Sequence, residues 1–502
     1  MTLNLIVVAA WAVCDAPSPV EPFHAERSQA VSIHSVEFET HRAEPPKERG
    51  LEWYDTSIHA LSDDAGLRRE VLGYLPYWEL DYNAFHWDKL TTLAFFAVNM
   101  ESNGDVSELH GWDGPTSTAL RDEAHANGVR YILTVINFSA SEIDALVNDP
   151  VARTNGVQQL LGAVLAMEAD GVNIDFESVP VTAKSGLTAF VKETTEAFHA
   201  NIPGSRVTVA TPAVDWSGAF DYDQLAIHSD GLMIMGYGYH WKGGNPGPLS
   251  PVTAGDIWGE KTLTWTIEDY FTWGGEENRH KFILGLPFYG RDWPSDGPAI
   301  PGTALSEGVY EPFYDCKDRA QALGGFVWDE HSKTSYFMEQ IDGIWHQIWC
   351  DNGPSWVEKL ALVESYDLQG IGIWALGYDG TTEDYWDAIG DAFLQTSDEP
   401  EPDIAEGGDD VPGADAGNVD VVERPGDAPD VGSPPHDTTS ARPVDARGGS
   451  SDIDAPRAPD SQQSTARRTP PAVPLASAGG CSFVAQSNPA AWGWLLLLAA
   501  FM

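Results

Sequence analysis

The chain reads as an α/β protein whose central part, residues 69–395, is a (β/α)8 barrel with a small α+β insertion between its seventh and eighth strands. Short apolar runs rich in β-branched residues recur eight times between Arg69 and Gln395, separated by polar, helix-compatible stretches. That alternation is the pattern of a parallel sheet wrapped by helices, and eight is the strand number that closes a barrel. The span exceeds the roughly 250 residues usual for such a barrel. The excess lies in one place, because roughly 80 residues, Arg291 to Gln369, separate the last two runs where one helix needs far fewer. The insertion is therefore expected at about 294–368.

In chain order the predicted strands are VLGYLPYW from Val71, LTTLAFFAVNM from Leu90, VRYILTVINF from Val129 and GVNIDF from Gly171. They continue with RVTVATPAV from Arg206, GLMIMGYGY from Gly231, FILGLPFYG from Phe282 and GIGIWALGY from Gly370. Each is a TIM-barrel strand candidate, and in such barrels chemistry sits where strands end at the C-terminal face. The fourth run, Asp170 to Glu177, is the most informative. Side chains alternate along a strand, so Asn173, Asp175 and Glu177 share one face while Val172, Ile174 and Phe176 point into the helix layer. Two carboxylates about 6 to 7 Å apart along a strand are costly to bury. Proximity and desolvation raise the pKa of at least one of them, which makes Asp175 and Glu177 an acid/base candidate pair.

Composition narrows the function. The 502 residues carry 76 acidic against 28 basic side chains, a net charge of −48. So acidic a chain repels nucleic acid and anionic lipid surfaces, which require clustered Lys and Arg, and no nucleic-acid partner is expected. Sixteen of the 19 Trp lie between Trp53 and Trp386, where flat aromatic faces can pack against sugar rings as well as fill a core. There is no CxxC or HExxH, and the 14 His show no ligand spacing, so neither a metal nor another cofactor is expected.

The flanks read differently. Residues 1–14 contain the apolar run LNLIVVAAWAV of a signal-like segment, with no basic residue ahead of it and Cys14 close behind. Residues 15–68 form an N-terminal extension without a recognisable carbohydrate-binding module. Residues 396–476 lose their aromatics and become an acidic Pro/Asp/Gly linker, which cannot bury a core and is expected to be disordered. Residues 477–502 combine small residues, Cys481 and an apolar tail too short for the roughly 20 residues of a spanning helix. That grammar suits a sorting or anchor signal, so the membrane is expected to be touched only through this tail and the protein to be secreted or cell-surface anchored. Cys316 and Cys350 remain inside the folded region and read as one disulfide. A monomer is expected.

The fourth run resembles, at every position but one, the DGxDxDxE signature of glycoside hydrolase family 18, the chitinase-type hydrolases. MGYGYHW, Met235 to Trp241, resembles the family's M-x-Y-D segment, LGLPFYGRDW, Leu284 to Trp293, its seventh strand, and GIGIWALGYD, Gly370 to Asp379, its eighth. The resemblance covers Arg69 to Gln395 in order. It implies hydrolysis of β-1,4-linked N-acetylglucosamine polymers, chitin or peptidoglycan, with retention and by substrate assistance. On that resemblance Glu177 is the general acid and then base. Asp175 orients the substrate's 2-acetamido group, whose oxygen attacks the anomeric carbon, and Tyr237 donates to that oxygen. Trp374 floors the sugar at the cleavage point, Tyr289 and Arg291 lie along the cleft, and Met235 and Tyr74 complete the substrate-binding set.

Two departures from the family pattern stand out. Asn173 replaces the usual Asp, placing an amide donor next to Asp175 within the catalytic set. Gly238 replaces the Asp of M-x-Y-D, which removes a polar contact expected near the acetamido group. The NIDFE form and the lack of an SxGG run in the third strand resemble the spore-cortex, cell-wall and chitobiase-like branch. A catalytically weak or inactive lectin on the same barrel is the alternative, opposed by the presence of Glu177.

Overall fold

A computed structural model describes residues 32–49 and 66–394. The segments 1–14, 396–476 and 477–502, with their signal, linker and anchor readings, lie outside the described residues, as does most of 15–68. The chain begins with helix α1 (Ile33–His41), followed by β1 (Glu70–Pro76), β2 (Thr92–Met100), β3 (Val106–Ser107), α2 (Pro115–Ala126), β4 (Arg130–Asn137), α3 (Ala140–Asn148) and α4 (Pro150–Ala166). Next come β5 (Gly171–Phe176), α5 (Lys184–Asn201), β6 (Arg206–Pro212), α6 (Tyr222–His228), β7 (Gly231–Met235), α7 (Leu263–Gly274) and β8 (Phe282–Pro287). The inserted elements are β9 (Tyr289–Ser295), β10 (Val309–Pro312), α8 (Phe313–Ala322), β11 (Val327–Asp329), β12 (Thr334–Ile341) and β13 (Ile344–Cys350), after which α9 (Gly353–Ser365), β14 (Gly370–Trp374) and α10 (Asp384–Phe393) complete the chain.

Eight strands run parallel in the order β1-β14-β8-β7-β6-β5-β4-β2, and the β1–β2 pairing closes the barrel, while β3 adds an antiparallel edge to β2. The eight predicted runs are these eight strands. Their near-continuous apolar character follows from burial on both faces, by the barrel interior and by the helix layer. The helices are set by local chemistry: the Asp149 side chain caps α4 with Pro150 following, and Thr262 and Asn352 cap α7 and α9. After β1 the chain makes two short 3-10 turns, Tyr77–Glu79 and Trp87–Lys89, where the ideal barrel would have a helix.

The register around β5 fixes the candidate site. Asn173 lies opposite Thr134 of β4 and Thr208 of β6, and Asp175 opposite Ile136. Gly171 permits this spacing, since a Cβ there would stand 1.9 Å from the Arg206 carbonyl oxygen. No side chain fits such an approach.

The insertion is a five-stranded antiparallel sheet, β10-β9-β13-β12-β11, with α8 beside it. It starts at Tyr289, two residues after β8 ends, and finishes at Cys350, rather than spanning 294–368. The helix α9 that follows leads directly into β14 and contacts α10, so it belongs to the barrel's outer layer. Cys316 and Cys350 form the expected disulfide, with Cα atoms 6.6 Å apart, tying α8 to β13. Among the described residues no helix is long and apolar enough to cross a membrane.

One buried ion pair joins the insertion's exit to the barrel layer: Lys359 of α9 meets Asp351, both essentially without solvent contact. Burial pushes the Asp351 carboxyl up and the Lys359 ammonium down, and each partner opposes the other's shift. Removing one partner strands the other charge. Lys359→Met is expected to cost about 3–5 kcal/mol in urea unfolding, with Lys359→Met/Asp351→Asn recovering much of that loss.

Candidate active site

The C-terminal end of β5 carries the site. Asn173 and Asp175 are fully buried inside the barrel and Glu177 is 7% exposed, while Phe176, on the opposite face, stacks on Phe190 of α5 at 5.5 Å. The alternation read from the sequence is therefore realised. The Glu177 amide donates to the Asn137 carbonyl at 3.1 Å, and Ser178 then adopts φ +60°, a left-handed conformation uncommon for a residue with a side chain. The strand ends at Phe176 and the chain turns away just past the glutamate, at the barrel's mouth.

Glu177 has its pKa raised well above 4.5, first by burial and second by the neighbouring charge of Asp175, with a hydrogen bond from Ser32 acting the other way. That is the environment of a carboxylic acid that holds its proton above the usual carboxylate range, as a general acid must. Asn173 does not play the part expected of it. Its amide nitrogen donates to Thr208 Oγ1 at 2.8 Å and its oxygen accepts from the Tyr74 hydroxyl at 3.0 Å, so its donor is turned to β6 and not toward Asp175. Asn173 acts as a spacer bonded across β1, β5 and β6.

Trp374 ends β14, its ring edge-on to Phe96 at 4.7 Å and tilted against Tyr74 at 5.7 Å. Tyr237, two residues beyond β7, comes within 6.1 Å of the Tyr289 ring. Met235 closes β7, and its carbonyl accepts from the Tyr237 amide at 2.8 Å. The chain turn after β7 thus aims Tyr237 inward. Arg291 is buried against the insertion, donating to the Gly308 carbonyl at 3.1 Å, with its guanidinium carbon 5.8 Å from the centre of the Trp293 ring. Gly238 is exposed with φ +75°, and no described atom lies within 4 Å of where its Cβ would be. A side chain here would start in open space. The left-handed backbone at this position is one that glycine adopts without strain.

The structure adds residues that the sequence reading missed. Helix α1, from the N-terminal extension, lies in the mouth of the barrel. The His34 ring stacks on Trp374 with centroids 3.8 Å apart and planes at 28°. Its Nδ1 is 2.8 Å from Asp175 Oδ2 and its Nε2 is 2.7 Å from the Tyr237 hydroxyl. An ionised carboxylate only accepts, so Nδ1–H donates to Asp175, and in the neutral imidazole with that tautomer the Tyr237 hydroxyl donates to Nε2. Three residues on, Glu37 Oε2 accepts from Trp374 Nε1 at 2.9 Å and from the Tyr378 hydroxyl at 3.0 Å. Burial is the main reason its pKa is pushed up to about 8.

His34, Asp175 and Glu177 are the one group of three among the described residues with donor atoms close enough together to hold a metal ion. Ligand atoms about 2.0–2.2 Å from a tetrahedral ion stand about 3.3 Å apart. The 2.8 Å contact between His34 and Asp175 is shorter and fits a hydrogen bond.

Comparison with known proteins agrees with this geometry. Residues 70–379 match the profile described as "Glycosyl hydrolases family 18". Di-N-acetylchitobiase of Homo sapiens is 27% identical over 353 residues, covering 62% of this chain and 82% of that protein. The protein described as sporulation-specific glycosylase YdhD of Bacillus subtilis (strain 168) is 28% identical over 291 residues, 57% of this chain and 66% of that one. The crystal structure of the Bacillus cereus spore cortex-lytic enzyme SleL shares the fold with a TM-score of 0.53 at 18% identity, over 65% of this chain and 74% of that one. With its barrel matched from the first strand past the last, the chain belongs to glycoside hydrolase family 18 and is a glycoside hydrolase.

Proposed function

We propose that this protein is a secreted or surface-attached retaining glycosidase that hydrolyses β-1,4-linked N-acetylglucosamine glycans by substrate-assisted catalysis. The observation that carries the reading is the pair on β5, a buried Asp175 beside a Glu177 whose pKa is raised, with Trp374 and the Tyr237 hydroxyl converging on the same point. Glu177 protonates the glycosidic oxygen and, once ionised, takes a proton from the incoming water. Asp175 accepts the acetamido N–H and stabilises the positive charge that develops as the acetamido oxygen attacks the anomeric carbon. Tyr237 donates to that oxygen, and the Trp374 face supports the sugar ring.

The relatives named for chitobiose and for sporulation support a glycan with N-acetylglucosamine in it, and their split leaves chitin-type and peptidoglycan-type chains as the two substrates to compare. The Cys316–Cys350 disulfide supports an oxidising compartment. Glu177, retained in the signature, speaks against the lectin alternative.

Incubating the full chain with chitin oligosaccharides and with purified peptidoglycan, read by mass spectrometry, tests the substrate class. Glu177→Gln is expected to lower kcat by about 10²–10⁴-fold while oligosaccharide binding persists, and turnover equal to wild type contradicts the acid assignment. The pH profile gives a second check. The acid must be protonated to act, and its pKa is raised, so kcat/KM is expected to fall on an alkaline limb with a midpoint above 4.5. In Asp175→Asn one cause of the raise is gone. The residual activity should then lose its alkaline limb at lower pH than wild type, and an unmoved or upward-shifted limb counts against the coupling.

A further inference from the structure

The polar partners that the proposed mechanism assigns to a sugar are already engaged by a segment of the same chain. The Trp374 face carries the His34 ring. Asp175, assigned to accept an N–H, accepts one from His34, and Tyr237, assigned to donate to an oxygen, donates to His34 Nε2. The imidazole therefore presents the same donor and acceptor pair, over the same aromatic floor, as the acetamido group would. Ser32 bonds Glu177, and Glu37 takes the Trp374 indole N–H. No sugar can occupy this point while α1 is in place.

The contacts continue along residues 32–49, so the segment is docked over its length. The Phe38 ring packs edge-on against Tyr77, His110 and Phe138, and the His41 ring stacks on Trp78 at 4.6 Å. The Arg42 guanidinium forks onto Glu108, and Arg49 Nη1 reaches Glu123 Oε2 at 2.6 Å. Buried polar side chains seated on a polar site are costly unless each finds a partner. His34 finds both of its partners at the catalytic centre.

We infer that residues 32–49 are a built-in inhibitor, in which His34 and Glu37 of α1 compete with substrate for the catalytic centre and hold the enzyme latent until the segment leaves. This rests on the glycosidase reading for the identity of the competitor. Because the segment is covalently attached, it competes as an intramolecular ligand at millimolar effective concentration. The apparent affinity for substrate is reduced by the fraction of molecules in which the segment is out.

Glu37 gives the latch a pH dependence. Docked, it faces Arg291 and Tyr289 of β9, Tyr310 of β10, Glu79 after β1, and Trp374 and Tyr378 at the end of β14; Asp175 and Glu177 lie on the His34 side. Its pKa is about 8 when docked against an ordinary 4.5. Docking therefore takes up a proton, is fully supported below the free value and weakens as pH rises through about 8.

The test uses the full chain with a site-specific protease recognition sequence placed within residues 50–65, cut after folding and then diluted. Cutting and dilution are expected to raise kcat/KM on N-acetylglucosamine oligosaccharides by at least about tenfold. A synthetic peptide of residues 32–49 should reverse the gain competitively, raising KM and leaving kcat. Uncut His34→Ala should reproduce much of the gain. If cut and uncut chains turn over equally once mass analysis confirms that the segment has dissociated, the inhibitor is refuted and the glycosidase stands. If the cut chain binds oligosaccharide, the uncut chain does not, and neither hydrolyses, the inhibitor stands and the glycosidase falls. Absence of binding in both forms overturns both.

Discussion

Asp175 and Glu177 sit two residues apart on one face of β5, out of water, and the electrostatic cost of charging both is the constraint that organises the mouth of this barrel. A pair so placed resolves its repulsion by leaving one member protonated. Glu177 is the member whose pKa is raised, by burial and then by the neighbouring Asp175, while Asp175 lies within hydrogen-bond distance of His34. The rest of the arrangement serves this asymmetry. Asn173 is bonded sideways to Tyr74 and Thr208, and Gly171 brings β6 close enough for that bond to form. Strands β1 and β6 thus fix Asn173, the residue that shares the interior face with the two carboxyls.

Most of the barrel was legible in the sequence because each strand is a short β-branched run with polar borders, and the period-2 alternation of the fourth run put its carboxylates on the interior face. The insertion's edges were not legible. Leu284 to Trp293 reads as one apolar stretch, yet the chain passes at Phe288 from a parallel barrel strand into an antiparallel strand of a second sheet, a change of partner that leaves no mark on composition. Its far edge was hidden for a similar reason, since α9 belongs to the barrel and looks no different from a helix of an insertion. Asn173 misled because its residue type announces an amide donor but not the direction in which it points.

Helix α1 was missed for a deeper reason. Helices are recognised by an apolar stripe, and the side of α1 that meets the barrel interleaves the apolar Ile33 and Phe38 with buried His34, Ser35 and Glu37, with Val36 left partly exposed. Polar residues interrupt that face because His34 and Glu37 meet a polar catalytic centre. His34 and Asp175 are 141 residues apart in sequence, and nothing local to either predicts the other. The complementarity becomes visible only once the barrel has gathered Asp175, Tyr237 and Trp374 at one end.

The central claim is that the substrate's own acetamido oxygen, oriented by Asp175 and Tyr237, attacks the anomeric carbon before water does, and the stereochemistry of the first product tests that two-step course most directly. Proton NMR during the first minutes of hydrolysis of a chitin oligosaccharide by the chain freed of its 32–49 segment, with Glu177→Gln as the blank, reads the anomer before mutarotation. The account predicts that the β-anomer appears first, with the α-anomer following only as mutarotation proceeds. Initial release of the α-anomer would mean direct attack by water on the anomeric carbon, and would contradict the roles given to Asp175 and Tyr237.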